Sequence, residues 1–355
     1  VSVVAQGERG LPRVRSERWA PALAGALALV LLAATLEIVL DGATGHTGLI
    51  PKQPPIAGWL SGIGERLGYR VFLIALLASS GAYLGLLAFA RQGALARRGS
   101  AALPGKRAAI ALIAALHLIV FLGPVLLSTD VFSYIAYARM GVEHGLNPYT
   151  HGPAAIAHDP IYVYVGHVWR HVATAYGPIY TLLSYPLAPL GVEGALWGMK
   201  VLALLSSAGT LALIWRCARA RDIDPVMAIL AVGANPLYVL YGLGGAHNDL
   251  LMMLLMMVAV SLTLIGAPGA RRESAAAAAI VAGALVKATV AALLPFLIVA
   301  KRRPGPILGA LATLAAGALI AYVAFGIHGV DVVSALNRDA AFVSTDSFAT
   351  EIAHL

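Results

Sequence analysis

The chain has 355 residues, 59% of them hydrophobic and 12% charged, with a formal net charge of +8. A soluble domain carries about a quarter charged residues, so much of this surface faces something other than water. The basic excess sits in short loops between apolar runs; membrane orientation therefore accounts for it better than a nucleic-acid partner, and none is expected. The single cysteine, Cys217, excludes an internal disulfide and is given no role.

Apolar spans are read at about 19–40, 71–90, 108–127, 195–215, 225–242, 250–266, 275–300 and 306–328. They are continuous rather than alternating, so they read as helices and not as strands of a barrel. The expected fold is an all-α polytopic membrane protein in which residues 1–355 form one transmembrane domain. The first span is too long for a cleaved leader and reads as a retained anchor. Arg9, Arg13, Arg15 and Arg18 precede it; Arg91, Arg97, Arg98, Lys106 and Arg107 follow the second span. Further clusters are Arg216, Arg219 and Arg221, then Arg271 and Arg272, then Lys301, Arg302 and Arg303. Placing these inside puts most of the 25 Lys and Arg in the cytoplasm, together with the N-terminus.

Segment 275–300 has basic flanks at both ends, which conflicts with one crossing. A re-entrant hairpin of two short helices, with Lys287 near its tip, keeps both flanks inside; a tilted single helix with one misplaced cluster is the simpler alternative. The hairpin leaves the polar 329–355 tail outside. The long segment 128–194 also lies outside, is rich in aromatics and holds half of the ten histidines. It is expected to be ordered and to pack on the membrane surface.

Four features carry chemistry. Ser128 or Thr129 can cap a helix with Asp130 in its first turn, where the positive helix end favours a carboxylate. Val131, Ile135, Ala138 and Val142 recur at helical spacing, Gly145 can end the helix, and Tyr134 and Tyr137 would lie at headgroup level. The competing reading makes Asp130 a mere cap. Next come Gly145-Leu146-Asn147-Pro148-Tyr149, His158-Asp159-Pro160 and Ala175-Tyr176-Gly177-Pro178, which taken alone are rigid loop corners. The third feature, His247-Asn248-Asp249, groups three polar side chains at a helix junction, where a cavity or simple capping would explain them. The fourth is Lys287 in an apolar segment. An ammonium at mid-membrane costs about 2.5–3.5 kcal/mol on insertion scales, so it needs an anionic ligand or a fixed partner such as Asp249.

His144, His151 and His158 are seven apart, and His167 and His171 four apart, without the HExxH pattern or a partnering cysteine. No metal site is assigned. No Walker loop or dinucleotide fingerprint occurs, which argues against a nucleotide-driven cytoplasmic enzyme.

Asp130 just after a span, then Tyr134, then Gly145-Leu146-Asn147-Pro148-Tyr149, resembles the first catalytic loop of GT-C glycosyltransferases. The nearest likeness is to the polyprenol-phosphate-mannose-dependent mannosyltransferases of bacterial cell envelopes. Asp159-Pro160, Trp169, Tyr176-Gly177-Pro178, Asn235-Pro236, His247-Asn248-Asp249 and Leu285-Val286-Lys287 are similar in kind and order. The resemblance covers about 120–300 and implies a GT-C-like helix bundle with an ordered outer loop carrying an interfacial helix. It implies inverting transfer of a sugar, mannose for this group, from a polyprenyl-phosphate donor to a glycan or glycolipid hydroxyl at the non-cytoplasmic face of the cell membrane. Asp130 is then the general base. Tyr134, Arg139, Asn147, Tyr149, Asp159, Tyr176, His247, Asn248, Asp249 and Lys287 are the candidate substrate-binding residues, with Lys287 and either Arg139 or His247 on the phosphate. No cofactor is expected, a divalent metal being left open. Members of the group commonly run on through more spans where this chain stops, so a truncated chain is an expectation too. The rival classes are a transporter or flippase of lipid-linked substrates and a non-enzymatic envelope assembly protein. Intramembrane Lys287 would suit a transporter, but no inverted repeat accompanies it.

Overall fold

A computed structural model describes residues 20–43, 68–95 and 105–330, and among these it is helical with no strand. The tail 331–355, the N-terminal arginines and the loop carrying Arg97 and Arg98 lie outside the described residues.

Helices α1 (Ala20–Ala43) and α2 (Gly68–Leu95) pack along each other. Helix α3 (Lys106–Leu122) ends five residues before the expected boundary at 127, because Gly123-Pro124 cannot continue it. The Lys200 ammonium, 2% exposed, donates to the Gly123 carbonyl freed there, at 2.5 Å. Sequence reading passed over Lys200. Val125 to Thr129 then lead into α4 (Asp130–Val142). The segment from Pro153 to Trp169 forms three short 3-10 turns, followed by α5 (Pro178–Ser184) and a 3-10 turn that feeds α6 (Gly191–Ala220).

Helix α7 (Pro225–Gly233) starts on Asp224, whose carboxylate accepts from Val226 N at 2.8 Å and Met227 N at 3.3 Å. Asn235-Pro236 interrupts it, and a π-helical turn over Leu237–Leu243 continues at 50°. Helices α8 (Asp249–Leu264) and α9 (Ala270–Ala284) follow. Leu285 to Lys287 break the chain before a 3-10 turn and α10 (Leu294–Lys301), and α11 (Pro304–Phe325) ends the described helices. Among the described residues, four helical stretches are long and apolar enough to cross a membrane: Ala20–Gly42, Arg70–Arg91, Pro178–Ala220 and Pro304–Gly329; the bent pair makes a fifth if it is one span. Helices α3 and α8, with 17 and 16 residues, fall short of that length.

The break within 275–300 turns the chain back on itself. Ser274 Oγ donates to Gly305 O at 2.8 Å, and Arg303 reaches Glu273 at 3.6 Å. The starts of α9 and α11 are therefore neighbours, and so are the two basic flanks. Gly309 fits against the backbone of Ser274, and Gly317 against Leu285 farther along. Helices α9 and α11 thus run in the same direction, with the returning piece between them in sequence. Small residues permit this close approach, and a satellite core of Ala259, Ala276, Ala277, Ile280 and Ala310 fills the contact.

Helix α4 sits in the main core. Phe132 and Ile135 are fully buried, and Tyr134 and Tyr137 are 2% and 3% exposed. This corrects the expectation that both tyrosines reach headgroup level. The turns that follow cover the helix, and Tyr137 Oη donates to Val172 O at 2.8 Å instead.

Candidate active site

Asp130 opens α4. Ser128 Oγ accepts from the Asp130 amide at 3.1 Å, while Thr129 makes no side-chain cap. The lead-in is held by Leu126 N donating to Gly244 O at 3.1 Å, and Leu127 takes a left-handed φ of 61°. On the facing segment Ala246 also has a left-handed φ, 49°, directly before His247. Left-handed backbone at a residue with a Cβ costs on the order of 1 kcal/mol or more, so the surrounding packing enforces both turns.

These turns aim four side chains into one cavity of about 470 Å³: Asp130, His247, Asp249 and Lys287. His247 Nδ1 lies 3.5 Å from Asp130 Oδ2 and 3.9 Å from Asp249 Oδ2. Lys287 Nζ donates to both oxygens of Asp249, at 2.9 and 2.8 Å. The fixed partner considered for Lys287 is thus in place, yet the pair is open to the cavity, with side chains 36% and 35% exposed. The His247 ring stacks on Tyr241 and packs over Gly245; its Nε2 is buried without a hydrogen-bond partner. Nδ1 faces both carboxyl groups, and an N–H at that atom is the donor that their oxygens can accept from. Burial pushes the imidazole below its usual pKa and Lys287 adds to this, against an upward pull from Asp130 and Asp249.

The segment between α4 and α6 positions Lys287. Gly177 N donates to Val286 O and Ile179 N to Leu285 O, both at 3.1 Å. The break in the apolar segment thereby regains the partners that it lost. Only glycine fits at 177, since a Cβ there would stand 2.0 Å from the Leu285 carbonyl oxygen. A buried tyrosine cluster backs the same region: Tyr134 sits edge-on to Tyr176 and Tyr180, and its hydroxyl donates to Asn248 Oδ1 at 3.3 Å. Burial, with the nearby tyrosines and Asp130, raises the Tyr134 phenol well above its usual pKa, so it stays neutral. Asn248 is 1% exposed and its amide nitrogen is unpartnered.

Other candidates do not line this cavity. Arg139 forks onto Asp159 at 2.8–3.0 Å and donates to Ala188 O at 3.1 Å. His144 Nε2 and the Ile161 amide complete the Asp159 shell at 2.8 and 3.0 Å. Asn147 donates to Phe325 O at 2.7 Å, and Tyr149 Oη to Tyr176 O at 2.8 Å. These residues tie the segment between α4 and α6 to itself and to the end of α11. Tyr176 packs its ring into the tyrosine cluster. Conversely, Tyr238, Tyr241 and Met253 line the cavity unannounced by any sequence argument; spacing of three between the tyrosines is the one signal that placed them on a common helical face. Among the described residues no group of three or more His, Cys, Asp or Glu is arranged to hold a metal ion.

A larger groove of about 660 Å³, almost wholly apolar, runs between α3, α6 and α7 along Ile113, Leu118, Leu204 and Ile229. His117 on its wall reaches Ser207 Oγ at 2.9 Å, and Tyr238 from the charged cavity donates to the same hydroxyl at 3.0 Å. The two spaces are therefore neighbours across α7.

A family profile described as alpha-(1->6)-mannopyranosyltransferase, N-terminal domain, matches residues 24–303. The chain is 30% identical over 183 residues to alpha-(1->6)-mannopyranosyltransferase A of Corynebacterium glutamicum, covering 51% of this chain and 36% of the relative. It is 27% identical over 191 residues to the protein of that name in Mycobacterium tuberculosis, covering 51% and 35%. The matched regions thus span about a third of each relative's length. No solved structure matches the chain.

Proposed function

This chain belongs to the alpha-(1->6)-mannopyranosyltransferase family, and from that premise we propose that it moves a mannosyl group from a polyprenyl-phosphate donor to a glycan or glycolipid hydroxyl, with inversion, at the non-cytoplasmic membrane face. The observation that carries the reading is one cavity lined by both Asp130 and Lys287, a carboxyl group and an amine open to the same space. Asp130 accepts the proton of the acceptor hydroxyl as that oxygen attacks the anomeric carbon. The bond from that carbon to the phosphate oxygen breaks, and its electron pair leaves with the phosphate. Polyprenyl phosphate is stable as an anion, so no acid need protonate it and one carboxylate suffices, in contrast to most glycosidases. Lys287 neutralises the phosphate, and the polyprenyl chain lies along the membrane side of the fold. The alpha-(1->6) linkage named for the relatives is proposed for this chain as well.

The outer-face placement rests on the charge asymmetry of the loops and on the outer segment that covers α4. A transporter reading lacks the inverted repeat that such folds carry in their sequence.

The test pairs Asp130→Asn with unmutated protein, using radiolabelled polyprenyl-phosphate-mannose and an extracted glycolipid acceptor. Transfer should fall by about a hundredfold to ten-thousandfold while donor binding and melting temperature stay near wild type. An Asp130→Asn protein that still transfers at the normal rate removes the base assignment.

A further inference from the structure

Lys287 meets two demands with one ammonium: in the empty site it holds Asp249 through both carboxylate oxygens, and in the reading above it holds the donor phosphate. We infer that Asp249 is a placeholder anion which the phosphate must displace from Lys287, and that His247 Nδ1 is the donor that receives Asp249 when it is displaced. The inference rests on the donor-phosphate reading of the cavity.

The geometry supports the exchange. A carboxylate held bidentately mimics two phosphate oxygens, so the empty site keeps its cation aimed and charge-balanced at the position a phosphate would use. Displacing Asp249 strands a partly buried negative charge, which is costly unless another donor takes it. The nearest one is His247, whose Nδ1 already stands 3.9 Å from Asp249 Oδ2 and 3.5 Å from Asp130 Oδ2. The ring is fixed by its stack on Tyr241, and among the described residues the facing charges are Asp130, Asp249 and Lys287. A small rotation of Asp249 exchanges Lys287 for His247, without any movement of backbone. With the ring held, Asp249 then competes with Asp130 for the one imidazole N–H, so donor binding also loosens that contact to the base. Asp249 therefore acts as a positioning and gating residue, not as a ligand of the sugar.

The test measures binding of farnesyl phosphate, a short polyprenyl phosphate, to the full chain in detergent, with melting temperature as the check on folding. Asp249→Asn should bind roughly three- to tenfold more tightly than wild type, because Lys287 is released beforehand. Lys287→Met should bind about tenfold more weakly or worse. His247→Phe, which retains the stack on Tyr241, should weaken binding several-fold in the wild-type background and leave it unchanged in Asp249→Asn. Asp249→Ser serves where the Asn variant does not fold. If Asp249→Asn binds more weakly than wild type with its melting temperature retained, or if His247→Phe acts equally in both backgrounds, the placeholder role falls while the Lys287 result keeps the donor site. If Lys287→Met binds normally, the phosphate site itself is elsewhere and both readings fall.

Discussion

Asp130 and Asp159 are carboxylates on or near one short helix, and their surroundings send them to opposite tasks. Asp159 is 2% exposed in its side chain. Burial alone would raise its pKa, but the Arg139 fork, His144 and the Ile161 amide overcome that and hold it down to about 2. A depressed carboxylate adds stability at pH above its unfolded value and loses it as pH falls through the folded one. The wild type should thus lose on the order of 2 kcal/mol between about pH 4 and pH 2 from this group. Asp159→Asn should be less stable at neutral pH and lack that acid-sensitive part, as denaturation followed at several pH values would show. An acid profile identical in both proteins contradicts the assignment. Asp130, by contrast, is a quarter exposed to a cavity, with one imidazole beside it. The sequence made Asp130, His247, Asp249 and Lys287 conspicuous, because polar side chains in apolar surroundings need a reason. It could not separate them from Arg139 and Asp159, since nothing in a spacing of twenty residues says that two opposite charges will consume each other.

Among the elements, the segment after α9 was expected as a re-entrant hairpin or a tilted single helix, from basic residues at both of its ends; its chain breaks at Leu285 to Lys287, and the labelling proposed below decides its sidedness. What satisfies its backbone was not visible, because Gly177 reads as one more turn glycine beside a proline. Its use lies in a contact across more than a hundred residues of chain, with the Leu285 carbonyl where a side chain would stand. Gly177→Ala should lower stability by about 2 kcal/mol or more and weaken farnesyl phosphate binding, because the outer loop must lift off the piece that presents Lys287. Melting temperature and binding measured together check this; a variant that melts like wild type shows that the contact gives way freely. Helix α4 taught the converse. Its apolar spacing was legible, but spacing alone does not distinguish a helix lying on a surface from one roofed by loops with few regular elements of their own.

At the scale of the molecule, the all-helical, membrane-spanning class followed from composition, whereas the lengths of α3 and α8 and the 50° bend at Asn235-Pro236 depended on packing. Sidedness has a direct measurement. With Cys217 replaced, a single cysteine at Val168 should react with an impermeant thiol reagent added outside intact cells, and one at Arg303 should not. Ready labelling at 303 would place a basic flank outside, against the proposed orientation. The adjacency of Glu273 and Arg303 requires position 271 to behave like position 303 in such an experiment. The bond between the outer loop and the broken segment also bears on how the protein is made. Gly177 and Ile179 leave the ribosome about a hundred residues before Leu285 and Val286 do. When the returning piece is made, the chain that carries the amides its bare carbonyls need already exists. Synthesis order supplies a template before the segment that depends on it.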